Sequence, residues 1–183
     1  MNEEHLPQLI MRRADLQGLP PLDLPEGYAL HRCDGAFTDN ERDGIARVLG
    51  ESFPEMTWFG ERVDSTFIGD TSCHTTFYIE HVPSGAVVAT ATAREDPSFP
   101  DAGYLHWVGV SPAHRGKRLG NLVSLAVLYE FVATGFHGAV LTTDDHRLAA
   151  IKTYLTLGFV PLPGHASHEA RWQAVQTALQ PSK

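Results

Sequence analysis

Residues 108–121 run Val108-Gly109-Val110-Ser111-Pro112-Ala113-His114-Arg115-Gly116-Lys117-Arg118-Leu119-Gly120-Asn121. An apolar strand ends at Val110, Pro112 breaks it, and a turn with two glycines and three cations leads into a long apolar helix. The first turn of a helix presents unpaired N–H groups and the positive end of the helix dipole. Glycines that let backbone approach a ligand complete an anion site. Arg115, Lys117 and Arg118 are three of the chain's 14 Lys and Arg residues. In a protein of net charge −8, that concentration marks where a polyanion would sit. A solvated basic helix start would account for the same charges. The stretch is neither a Walker A loop nor a Gly-x-Gly-x-x-Gly dinucleotide fingerprint, since neither spacing occurs.

The expected elements follow outward from this point. Gly103 to Val110 is apolar almost throughout, as a central strand is. The helix runs from Lys117 to about Thr134, with Gly135 as its stop, and Gly138 to Thr142 forms the next strand. A strand–helix–strand passage of this kind makes the two strands parallel. Asp144 or Asp145 caps a helix from His146 to Leu157, then Phe159 to Leu162 is a last short strand and Ser167 to Leu179 a helix. Upstream, Thr75 to His81 and Ala86 to Ala93 form a hairpin about Pro83-Ser84-Gly85, and Tyr28 to Arg32 alternates as a strand. Thr38 or Asp39 caps a helix over about Asn40 to Leu49, with Gly50 as its stop. Phe53, Trp58, Phe59 and Phe67 follow in a loop-rich stretch with a short helix near Glu61 to Phe67; they either wall a pocket or pack on the sheet. Leu9 to Arg13 reads as a short edge strand in an otherwise irregular segment 1–27. The expected fold is a mixed α/β, mostly antiparallel sheet flanked by helices, as one domain over 1–183 with a core of about 28–162 and a C-terminal helix of about 167–180.

Composition narrows the function classes. The chain has 183 residues, 43% apolar and 20% charged, ordinary for a soluble globular protein. No apolar run approaches the roughly 20 residues that span a bilayer. The acidic start Met1 to His5 has no apolar signal core behind it, so a cytoplasmic location is expected. The negative net charge argues against nucleic acid and anionic membrane as partners and is compatible with a cationic amine. Cys33 and Cys73 read as reduced thiols, and the scattered histidines, His165 and His168 included, lack companion ligands, so no metal is expected.

A second stretch, Ala150-Ile151-Lys152-Thr153-Tyr154-Leu155-Thr156-Leu157-Gly158-Phe159, lies on the later helix. Leu148, Ile151 and Leu155 share a face, with Tyr154 about a quarter turn away and Arg147 on the same stripe as Tyr154. A tyrosine there packs its ring and can bring its hydroxyl to a cleft.

The two stretches resemble motifs A and B of the GNAT superfamily, the GCN5-related N-acetyltransferases, over about residues 75–162. Motif A is Gln/Arg-x-x-Gly-x-Gly/Ala after a strand ending Val-x-Val-x-Pro. Arg115 and Gly120 match its ends, and Arg118 replaces the middle glycine, a position expected to have helical dihedrals and room for a side chain. Motif B is matched by Ala150, Tyr154, Gly158 and Phe159. The resemblance implies a parallel strand pair that splays to admit pantetheine. It implies acetyl-CoA as cosubstrate, its pyrophosphate on the amides of Arg115, Gly116, Lys117, Arg118, Leu119, Gly120 and Asn121, with pantetheine along Val108, Gly109 and Val110. It further implies direct attack of a primary amine, from a small molecule or peptide, on the thioester, with Tyr154 protonating the departing thiolate. Arg147 stands where many members have asparagine.

The amine must lose a proton to attack. His106, and less so Tyr104, would take it; both alternate onto the face of Val108 and Val110 if no bulge intervenes. Glu55 is a further position, and a core histidine bonded to backbone accounts equally for His106. Backbone N–H groups near Val108 and Gly109 would face the developing oxyanion. A non-catalytic acyl-CoA-binding module on the same fold, or acylation of a hydroxyl, is the competing reading. Ser111 lacks a nucleophile elbow, and Cys73 and His74, adjacent in a strand, point to opposite faces. Monomer and homodimer are equally open.

Overall fold

The computed structural model describes residues 6–180, so the acidic start Met1 to His5 lies outside the described residues. Seven strands are present: β1 (Leu9–Arg13), β2 (Tyr28–Cys33), β3 (Cys73–His81), β4 (Ala86–Arg94), β5 (Ala102–Val110), β6 (Gly138–Thr143) and β7 (Val160–Leu162). The helices are α1 (Asp39–Ser52), α2 (Gly60–Phe67), α3 (Leu119–Ala133), α4 (Leu148–Thr156) and α5 (His168–Leu179). The strands form one sheet in the order β2-β3-β4-β5-β6-β1-β7. Only the β5–β6 pairing among these is parallel. The fold is therefore the expected mixed, mostly antiparallel sheet. One face carries α3, α4 and α5, whose Leu122, Phe131, Ile151 and Trp172 join a core with Phe77, Ala91 and Leu105. The other carries α1 and α2, where Ile45, Leu49, Val63 and Phe67 pack on Tyr78 and Val87.

Four elements differ from the sequence reading, each for a local reason. β1 is interior, hydrogen-bonded to β6 on one side and β7 on the other, so segment 1–27 is not simply irregular. Leu9 and Met11 are fully buried in the large core while Ile10 packs on the opposite face against Ala102, Tyr104 and Val140. A strand apolar on both faces is a buried one. Helix α1 does not stop at Gly50 but runs on to Ser52. Gly50 keeps helical geometry, and the Phe53 N–H closes the last turn on the Leu49 carbonyl. Its start is the Thr38 capping box, with Glu41 reaching back to the Thr38 N–H. Helix α4 begins at Leu148 rather than His146, because Asp144 and Asp145 are engaged by Arg147 and Arg171 instead of capping. Helix α3 begins at Leu119, not Lys117, because Arg118 is left-handed, with φ 62° and ψ 15°.

The geometry that positions the site lies on β5. Its parallel pairing with β6 covers only Ala102 to Tyr104, opposite Gly138 to Val140; beyond it, β6 continues against β1 and β5 runs on with β4 alone. The β4–β5 register also slips: Thr92 opposes His106 and Thr90 opposes Gly109, so Ala91 faces two residues, Trp107 and Val108. This is a β-bulge, and Trp107 takes φ 48°, a left-handed value uncommon for a bulky residue. At the paired end, Phe131 of α3 lies where a side chain on Gly103 would be: a Cβ there would sit 2.3 Å from the ring. Gly103→Ala is therefore expected to lower stability by about 1–3 kcal/mol through overpacking. Urea denaturation measures it, and an unchanged midpoint would show that α3 does not bear on β5 at this point.

Candidate functional site

The loop before α3 is a cradle of free amides. A single 3-10 turn, Pro112–His114, leads into Arg115, whose N–H reaches the Pro112 carbonyl at 3.3 Å. The His114 ring is held by the Tyr28 hydroxyl at 2.9 Å, which fixes the turn against β2. The helical ladder starts with Leu122 N–H on the Arg118 carbonyl at 3.0 Å. Between these, the amides of Gly116, Lys117, Arg118, Leu119, Gly120 and Asn121 find no acceptor among the described residues. Gly116 (φ 77°) and Arg118 are both left-handed. Successive amides in left-handed and helical backbone converge into an anion-binding concavity. The left-handed Arg118 corrects the expectation of helical dihedrals there and gives the glycine of motif A its physical reason. A Cβ on Gly120 would lie 3.3 Å from Val110, so α3 starts tight against β5 and a large side chain would wedge between them.

This cradle opens on a cleft of about 950 Å³ between the loop and α4. Val108, Gly109, Val110, Arg115, Gly116, Arg118, Leu119, Gly120 and Asn121 line it, and His146, Lys152 and Tyr154 face them from the other side. Lys117 does not line it. Gly109 is pressed against α1: a Cβ there would meet Ser52 Oγ at 2.8 Å and Val48 at 3.2 Å. The cleft is thus bounded by the unpaired length of β5, the amide run and α4.

A second cavity of about 280 Å³ lies at the inner end. The two share Glu55, Val108, Arg147, Ala150 and Tyr154, so Tyr154 stands at their junction. Tyr154 is 7% exposed, and its hydroxyl has no hydrogen-bond partner among the described residues. Burial pushes the phenol's pKa well up, with Arg147 opposing in part, so it is protonated at neutral pH. His106 lines the inner cavity, packed against Trp107 (ring centroids 4.6 Å) and Tyr104 (5.4 Å). Burial lowers its pKa to about 4, helped by the charge of Arg94, so the ring is neutral at pH 7. The bulge overturns the expected shared face. Leu105, Val108 and Val110 pack on the α3 side, whereas Tyr104 packs with Val140 and Ile10 on the other side and Trp107 with Phe53 and Trp58. His106 and Trp107 become neighbours on one face because the extra residue shifts the alternation by one.

The inner cavity has an apolar wall and a polar belt. Phe53, Met56, Leu105 and Trp107 supply the wall, so the aromatic stretch after α1 divides its work: Phe53 lines the cavity while Trp58 and Phe67 pack. The belt is a continuous chain of hydrogen bonds. Thr142 donates to the Gln8 carbonyl at 2.9 Å, so the Tyr104 hydroxyl, 2.5 Å from Thr142, is the donor to it. Gln8 donates to Asp144 at 3.1 Å, and Arg147 donates to Asp144 at 2.9 Å, to Glu55 at 2.6 Å and to the Ser52 carbonyl at 3.0 Å. The guanidinium also lies 4.4 Å from the Phe53 ring centroid. Gln8, Thr142 and Asp144 went unread as site residues, since only the β1–β6 pairing brings the first two together. The doubly apolar Leu9-Ile10-Met11 was the one signal that this segment is interior.

Among the described residues, no helix is long and apolar enough to cross a membrane. The family model "Acetyltransferase (GNAT) family" matches residues 42–159. A mycothiol acetyltransferase of Nocardia farcinica is 30% identical over 78% of this chain and 48% of its own length. Another, of Gordonia bronchialis, is 41% identical over 77% of this chain and 46% of its own. The chain thus spans about half the length of these curated relatives. The solved tandem GNAT protein from the clavulanic acid biosynthesis pathway superposes with a TM-score of 0.65 at 19% identity, over 84% of this chain and 50% of that one. Sheet, splayed strand, amide cradle and family model agree, and the chain belongs to the GNAT acetyltransferase family.

Proposed function

We propose that this chain transfers an acetyl group from acetyl-CoA to a primary amine by direct attack. The observation that carries this reading is the run of unpartnered amides from Gly116 to Asn121 at a cleft whose inner end is the unpartnered Tyr154 hydroxyl. The residues fit the coenzyme. The amides and the α3 N-terminus suit a pyrophosphate, Arg115 and Arg118 add positive charge, and the free side of β5 from Val108 to Val110 suits an amide-bearing pantetheine arm. Lys117, outside the cleft lining, contributes its amide and long-range charge. Acetyl-CoA would supply the acetyl group as a thioester, at the junction of the two cavities. The relatives' shared name, mycothiol acetyltransferase, supports acetyl transfer; the acceptor of this chain is read from its own cavity.

In this reading the amine enters from the inner cavity. A C–N bond forms to the acetyl carbon as the C–S bond breaks; the amine gives up a proton and the sulfur gains one. Tyr154 holds the proton for the sulfur. Its hydroxyl has no competing partner, and its burial makes the phenol rather than the phenolate the resident form. Neutral His106 accepts the amine's proton and passes it through the cavity to solvent; its weak basicity suits a relay rather than a store of the proton. The Val108 backbone, on the length of β5 released from β6, supplies an N–H donor for the developing oxyanion, whereas Gly109 pairs with Thr90 of β4.

Calorimetry with acetyl-CoA tests the coenzyme site. Gly120→Trp is expected to abolish binding, and no binding by the wild type at millimolar acetyl-CoA would sink the reading. Tyr154→Phe is expected to lower kcat by about 10²-fold or more while leaving acetyl-CoA affinity and stability unchanged, since no hydrogen bond is lost. Indifference of turnover to Tyr154→Phe would instead favour the non-catalytic module. A third expectation concerns pH. Because folding lowers the His106 pKa, the unfolded chain binds the extra proton between the ordinary histidine value of 6.5 and about 4, so stability falls on acidification through that window. From about pH 7 to about pH 5 the loss from this group is expected to be about 1–2 kcal/mol. Denaturation of wild type and His106→Asn at the two pH values reads it, and equal pH dependence in both would refute it.

A further inference from the structure

The inner cavity's belt and wall together describe an acceptor. The belt runs in one connected path through Thr142 on β6, Gln8 before β1, Asp144 after β6, Arg147 at the start of α4 and Glu55 after α1, with Tyr104 of β5 bonded to Thr142 from behind the lining. It is not a closed network. The Gln8 amide has two N–H groups and Asp144 takes one of them; Asp144 and Glu55 keep lone pairs beyond those Arg147 satisfies. Two carboxylates surround one guanidinium, so the belt carries one net negative charge beside the neutral His106. Opposite stand Phe53, Met56 and Trp107. The volume, about 280 Å³, is roughly twice the ~150 Å³ that holds a benzene ring, so a substituted six-membered ring fits.

We propose that this cavity selects a compact primary amine that is cationic in solution and carries several hydroxyl groups on a ring, as amino sugars and aminocyclitols do. The proposal rests on the acetyl-transfer reading and deepens it. Hydroxyl groups both donate and accept, which matches a belt whose spare valences alternate between amide N–H and carboxylate oxygen. The C–H face of a puckered ring covers the aromatic wall. An amine without hydroxyls would cover Thr142 and Asp144, which are half-buried, and return no hydrogen bonds to them, while the exposed Gln8 and Glu55 keep water. An amine bearing its own carboxylate would meet the belt's negative charge. The ammonium is drawn in by that charge, loses one proton to solvent, and, as the neutral amine, attacks the acetyl carbon of the thioester while Tyr154 protonates the departing sulfur.

Thiol release from acetyl-CoA, followed on this chain, tests the proposal with four probes: glucosamine, cyclohexylamine, glutamate and a lysine-bearing peptide. Calorimetry with acetyl-CoA is run in parallel. Glucosamine is expected to exceed each of the others in kcat/KM by about 10²-fold. Gln8→Leu and Thr142→Val are each expected to raise the KM for glucosamine by about 10-fold with acetyl-CoA affinity unchanged, and Thr142→Ser to restore it. Thr142→Ser keeps the hydroxyl, so its rescue separates recognition from a folding defect. Equal or greater turnover of cyclohexylamine, glutamate or the peptide overturns the proposal. So does acetyl-CoA binding without turnover of glucosamine, which leaves the coenzyme site standing. Absence of acetyl-CoA binding overturns the acetyl-transfer reading and this proposal together.

Discussion

Where β5 leaves β6, after Tyr104 and Val140, the sheet loses hydrogen bonds that a regular sheet would keep, and every feature of the site follows from that divergence. The freed length of β5 is one wall of the cleft. The bulge at Trp107 shifts the alternation, so His106 and Trp107 fall together on the inner cavity while Val108 and Val110 turn toward α3. A left-handed φ on a tryptophan costs of order 1–3 kcal/mol, and such strain persists only where surrounding packing over-determines it. The packing is present: Trp107 is clasped by Phe53 and Trp58, with ring centroids 5.2 and 4.8 Å away, in the cluster that also holds α1 to the sheet.

Arg147 is the joint between the two cavities. Its side chain is 17% exposed and meets Asp144 on its own segment, Glu55 and the Ser52 carbonyl on the stretch after α1, and the face of Phe53. A half-buried ion pair of this kind contributes little net stability, because desolvation offsets the Coulomb gain. Its planar fork of donors fixes geometry instead. It binds the aromatic stretch to the start of α4, and thereby sets the distance between the apolar wall and Tyr154. An asparagine here, as in many members of the superfamily, could not span these partners at once.

The parallel crossover and the run of free amides before α3 were legible from sequence because their signals are local. A strand end, a proline, three glycines and three Lys or Arg residues occupy fourteen consecutive residues, and the long helix and the parallel crossover follow from them. The left-handed Arg118 was hidden because arginine rarely adopts that geometry, and only the glycine at that place in the motif pointed to it. The bulge was hidden because the run from Leu105 to Val110 is apolar on both faces and shows no break in alternation. β1 was misplaced at an edge because its length is short and prolines flank it, although its three consecutive apolar residues were the mark of a strand covered on both sides. The inner cavity was least legible of all. Gln8 and Asp144 are separated by 136 residues and Tyr104 and Thr142 by 38, and no periodicity links them.

Charge differs in sign between the two adjoining cavities. The chain carries a net −8, yet the cations Arg115, Arg118, Arg147 and Lys152 outnumber the carboxylates Glu51 and Glu55 in the outer cleft. The inner cavity has only Arg147 as a cation, and two carboxylates outweigh it. On the proposed reading, that difference favours a polyanionic coenzyme in the outer cleft and an ammonium in the inner cavity. Phe53, Leu105 and Val108 line the inner cavity, and the low dielectric of such apolar groups strengthens the field of its charges. The proposed reaction thus places two ligands of opposite charge on either side of Tyr154, and each would meet like charge in the other's place.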